Sequence, residues 1–157
     1  MPQLLTAADP GHQHAVLITP MHQAEIDPSF PIIRLAMPKV QLPAWRQYAR
    51  RAIASKSPGR GILAARWHNR HHPAGLACFN TRTELDNTKT LCARPVVAVD
   101  ILHPDYLITA LVKQLCAIAQ TTHCTHISLA LPQTPTLDLT TITLNRTATI
   151  TQDYTIG

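Results

Sequence analysis

The sequence predicts an α/β (α+β) domain in which strands and two amphipathic helices share one hydrophobic core. Three observations carry that prediction. Of the 157 residues, 45% are hydrophobic and only 4% aromatic, enough apolar material for a core built from Leu, Ile, Val and Ala. The hydrophobic period changes along the chain, from strand-length runs to the three-to-four spacing of one helix face. A hairpin, a long strand, a helix and a buried strand then follow one another, so one domain over residues 1–157 is expected.

The first eleven residues show little periodicity and are expected to be loosely held. Ala15 to Thr19 reads as the first strand. Between Pro20 and Pro43 stand five prolines, Pro20, Pro28, Pro31, Pro38 and Pro43, with a short extended run expected at Ile32 to Met37. From Pro43 the apolar residues Trp45, Tyr48, Ala49, Ala52 and Ile53 share one side of a helix, with Arg46, Gln47, Arg50 and Arg51 on the other. Ser57-Pro58-Gly59 stops it.

Gly61 to His68 and Gly75 to Leu85 are strand-like runs joined by the polar turn Asn69 to Ala74, which predicts a hairpin. Thr90 to Leu102 is a third run. Leu107, Ile108, Leu111, Val112, Leu115, Ile118 and Ala119 then mark a helix over about Pro104 to Gln120, with proline at its start, where a missing N–H costs nothing. His126 to Leu131 is a nearly continuous apolar strand, the pattern of a strand covered on both faces. Thr140 to Ile156 alternates and is rich in threonine, which predicts one or two terminal strands, with a hairpin about Asn145-Arg146.

Fourteen Lys and Arg against nine Asp and Glu give a formal charge of +5, which favours anionic partners at long range or simply keeps a surface solvated. Scarce aromatics and the lack of a basic run weigh against nucleic-acid binding. The four cysteines, Cys78, Cys92, Cys116 and Cys124, form no CxxC pair, as expected of a reduced, cytoplasmic protein. No apolar run is long enough to span a bilayer, and no membrane partner is expected. His123-Cys124-x-His126 and the His68, His71, His72 group have no recognised ligand spacing, so no metal is expected.

The run Val97-Ala98-Val99-Asp100-Ile101-Leu102-His103-Pro104-Asp105-Tyr106, followed by Thr109-Ala110-Leu111-Val112-Lys113-Gln114-Leu115, resembles the strand and helix of the GNAT-type N-acetyltransferases. The resemblance implies a central mixed, mostly antiparallel twisted sheet with helices on both faces. It implies an acyl-CoA donor, acetyl-CoA, with an amine as acceptor. It also implies that the strand residues Val97, Ala98, Val99 and Ile101 hold the pantetheine arm, and that Leu107, Ile108 and Thr109 stand at the diphosphate. The family's Arg/Gln-x-x-Gly-x-Gly/Ala loop has no counterpart, because Leu107 and Ile108 occupy the place of a basic residue and spaced glycines.

Asp100 interrupts an apolar strand and is the candidate general base, its pKa raised if it lines a cleft; the alternative is an aspartate at a strand edge or capping a turn. Tyr154 is the nearest substitute for the family's proton-donating tyrosine. Arg46, Arg50 and Arg51 offer charged donors to phosphate or to an acidic protein surface. Two functions follow: an acyltransferase-related enzyme, or a non-catalytic binding or dimerisation scaffold on the same fold. The acceptor or protein partner is not specified by these residues, and a homodimer fits the scaffold.

Overall fold

The structure, a computed structural model, describes residues 3–5, 15–132 and 149–152. Their strands form one seven-stranded sheet in sequence order. Strands β1 (Gln3–Leu5), β2 (Val16–Pro20), β3 (Arg60–Trp67), β4 (Gly75–Thr83) and β5 (Lys89–Ala98) are successively antiparallel. Strands β6 (His126–Leu129) and β7 (Thr149–Gln152) continue it in parallel. Helices α1 (Phe30–Ala36) and α2 (Leu42–Ala54) lie between β2 and β3, and α3 (Pro104–Thr121) links β5 to β6.

Both faces of the sheet are buried, which is why its strands read as continuous apolar runs. Along β3, Leu63, Ala65 and Trp67 meet the α3 side, where Leu107, Ile108, Leu111 and Leu115 pack. The alternate residues Ile62 and Ala64 meet Ile32, Ile33, Trp45, Ala49 and Ala52 of α1 and α2. At Gly75 the packing is tight, since a Cβ would stand 3.1 Å from the Val97 carbonyl oxygen on the neighbouring strand and 3.4 Å from a Leu111 methyl carbon.

Two expectations are corrected. Ile32 to Met37 is not extended, because Phe30–Ala36 is helical. Pro31 falls in the first turn, where its lack of an N–H is harmless, and Met37, preceding Pro38, leaves the helical region at φ −135° and ψ 77°. The Ser29 hydroxyl donates to the Ile26 carbonyl at 2.8 Å, and the Trp45 indole N–H reaches the same oxygen at 2.7 Å, tying α2 to the preceding turn. Within the N-terminal stretch expected to be loose, Gln3–Leu5 instead pairs with β2, Gln3 opposite Ile18 and Leu5 opposite Val16.

The remaining boundaries up to Leu131 agree within a few residues, except that the run expected to reach Leu102 stops at Ala98; of Thr140 to Ile156 only the strand Thr149–Gln152 is described. The hairpin expected about Asn145-Arg146 lies outside the described residues. Among the described residues no helix is long and apolar enough to cross a membrane.

Candidate functional site

The site begins with an irregularity in β5. Ala93 stands opposite Phe79 and Val96 opposite Ala77, so the two residues Arg94 and Pro95 face Cys78 alone. This is a β-bulge, which bends its strand and ends regular pairing. A proline is tolerated there because the bulged residue has no ladder bond to supply. On the other edge of β5 the parallel pairing to β6 also ends here, at Ala93 opposite Leu129, with a last bond from the Ala130 N–H to the Ala93 carbonyl at 3.1 Å.

Beyond that point the two strands part around a cleft of about 470 Å³. Its walls are the bulge and Val96 to Ala98 on one side, Ala130 to Pro132 on another, and Leu35 to Met37 at the end of α1. Among these described residues Arg94 is the one charged side chain. Val99 donates to the Ala74 carbonyl at 2.6 Å, so residues 97 and 99 point their amides at β4. By the alternation of an antiparallel ladder, the amides of Val96 and Ala98 point toward the cleft.

The residues expected to hold a cofactor therefore divide. Val97 and Ala98 line the cleft. Val99 and Ile101 do not, and are 43% and 99% exposed on the turn that follows. Leu107 and Ile108 lie inside α3 with buried side chains in the core, and Thr109 is half-buried in the same helix. The β5–α3 turn is residues 99–103, ahead of Leu107, Ile108 and Thr109, where the resemblance implies the diphosphate contacts. Tyr154 is outside the described residues.

Asp100 takes the turn-capping alternative rather than the place of a base with a raised pKa. One carboxylate oxygen accepts the N–H groups of Leu102 and His103, each at 2.8 Å, and the other accepts the Trp67 indole N–H at 2.8 Å. Burial pushes the carboxyl upward, but the backbone N–H of His103, the indole and the N–H of Leu102 outweigh it and hold the pKa below the ordinary value. Asp100 is a clamp on the turn.

Other candidates resolve simply. Arg46 makes a two-pronged ion pair with Asp27, both contacts at 2.8 Å, which lowers the Asp27 pKa. Arg50 and Arg51 stay exposed beside it. His68, His71, His72, His123 and His126 are exposed, while Cys124 is buried and 3.3 Å from the Thr122 hydroxyl. Among the described residues no group of three His, Cys, Asp or Glu side chains gathers as a metal site.

A mostly antiparallel sheet, helices on both faces and a parallel pair that parts around a cleft define the class: the chain has the GNAT-type N-acetyltransferase fold. It is similar to an aminoglycoside N-acetyltransferase solved in complex with CoA, at 10% identity and a TM-score of 0.63 over 80% of this chain and 81% of that one. It is also similar to an aminoglycoside 6′-N-acetyltransferase from Acinetobacter baumannii, at 17% identity and a TM-score of 0.61, over 77% and 81% of the two chains. For glucosamine-6-phosphate N-acetyltransferase from Arabidopsis thaliana the values are 11%, 0.60, and 76% and 83%. No protein-family model matches the sequence, and no curated protein does.

Sequence reasoning missed the bulge, Arg94 and the α1 end of the cleft. Pro95 inside a strand was the available signal, since proline in a non-edge strand marks a bulge.

Proposed function

We propose that the cleft between β5 and β6 binds an acyl thioester of the coenzyme A type, and that the chain transfers the acyl group to an amine. The observation that carries this reading is the bulge at Arg94 and Pro95, which ends pairing to β6 just where the amides of Val96 and Ala98 turn toward an apolar cleft. Those amides suit the extended, amide-bearing arm of the donor, which can add to β5 as a strand would. The same N–H groups are placed to stabilise charge gathering on an acyl oxygen. When bound, the thioester supplies the carbonyl carbon to which the amine nitrogen bonds, as the C–S bond breaks and sulfur leaves with the electron pair and takes up the amine proton. Leu35, Met37 and Leu131 exclude water from that step.

The test is a titration of the ¹⁵N-labelled protein with acetyl-CoA. Saturable shifts of the Val96 and Ala98 amide resonances are expected. Spectra unchanged at millimolar donor would overturn the reading.

A second reading, a binding or dimerisation scaffold without catalysis, is favoured by Asp100, whose engagement with three donors withdraws this carboxylate from base chemistry. Assays with a panel of amines separate the two. Thiol release that requires an amine supports transfer, whereas saturable binding with no release supports the scaffold.

A further inference from the structure

We propose that the donor site recognises a pantetheine thioester without its nucleotide, because the Asp100 carboxylate already fills the place at the β5–α3 turn where a diphosphate would be held. The proposal rests on the acyl-transfer reading above and narrows its donor. Phosphates at the start of a helix are held by successive backbone N–H groups, helped by the helix dipole. In this turn the Leu102 and His103 N–H groups are both directed to Asp100. The Trp67 indole, arriving from β3, fixes the same carboxylate from its other side.

The next residue, Pro104, has no N–H, and Asp105 brings a second carboxylate into the first turn of α3. Of the other turn side chains, Val99, Ile101 and Leu102 are apolar and 43%, 99% and 78% exposed, and the His103 ring centroid lies 5.2 Å from that of Tyr106. A diphosphate placed here would have to displace the Asp100 carboxylate from the Leu102 and His103 N–H groups, and Pro104 has no N–H to offer in their place. The arm side of the cleft is built differently, from the Val96 and Ala98 amides and from walls that are apolar except for Arg94. The ligand class is therefore an acyl thioester of pantetheine or phosphopantetheine, either free or borne by a carrier protein.

Calorimetric titration of the intact chain with S-acetyl-pantetheine, acetyl-CoA, adenosine diphosphate and an acetylated acyl carrier protein tests this. The two small thioesters are expected to bind with dissociation constants within about threefold of each other, and the nucleotide with no saturable heat at millimolar concentration. A carrier-borne thioester binding about tenfold tighter than S-acetyl-pantetheine assigns the donor to a protein, and equal or weaker binding assigns it to the free thioester. Acetyl-CoA binding about thirtyfold or more tighter than S-acetyl-pantetheine would overturn this proposal and leave acyl transfer standing. Failure of every thioester to bind removes both.

Discussion

Replacing Asp100 by alanine is expected to loosen the β5–α3 turn and lower stability in a pH-dependent way. The substitution leaves three donors without their acceptor: the N–H groups of Leu102 and His103 and the Trp67 indole. Hydrogen bonds to a charged group contribute about 1.5–3 kcal/mol each, and water reaching this half-buried turn replaces part of that, so a net loss of about 2–4 kcal/mol is expected. For a chain of this length that is a fall in Tm of about 5–15 °C. The folded-state pKa of Asp100 is below its unfolded value of 3.8. The carboxylate thus stabilises the fold fully above the unfolded pKa and loses that contribution as pH falls through the folded one. Thermal unfolding of wild type and Asp100→Ala, followed by circular dichroism from pH 3 to pH 8, is the assay. The gap should be constant above about pH 5 and narrow steadily below pH 4. A gap unchanged at pH 3, or none at pH 7, would refute the clamp.

The positions implicated by resemblance separate in their cost. Leu111→Ala removes a fully buried side chain of the α3 core and is expected to cost about 2–5 kcal/mol, whereas Ile101→Ser, at a side chain that packs on almost nothing, should stay within about 0.5 kcal/mol; urea unfolding distinguishes them. Burial pushes the Cys78 thiol up to about 12, so at pH 8 only about one thiol in ten thousand is ionised. Alkylation followed by mass spectrometry should leave Cys78 unmodified in the native protein and modify it in denaturant. Native labelling at the denatured rate would contradict its burial.

Most of the architecture was legible because it rests on periodicity. The apolar run in Gly61 to His68, the run at His126 and the helical stripe from Leu107 to Ala119 each record which faces are covered. The α1 segment misled because its prolines suit both an extended chain and a helix start, and only the burial of Ile32 and Ile33 beneath the sheet distinguishes them. Asp100 left two readings open for another reason. A carboxylate in an apolar run has the same appearance whether it faces a cleft or three N–H donors, and two of those donors belong to the backbone, which sequence does not display. Leu107 and Ile108 lie in the helix their spacing predicts, with buried side chains, which takes them away from the diphosphate contacts that the resemblance implies.

The two-for-one step opposite Cys78 also says something about chain length. Ala93 and Val96 lie on the same side of the sheet although three positions apart, so the surplus residue restores the alternation that an odd spacing would otherwise break. Removing Pro95 would leave every core residue of β5 on its present side and put Arg94, which has an N–H, alone opposite Cys78 in a regular strand. The opening in the sheet thus depends on one amino acid in the count, and a single-codon deletion could close it with the core left in place.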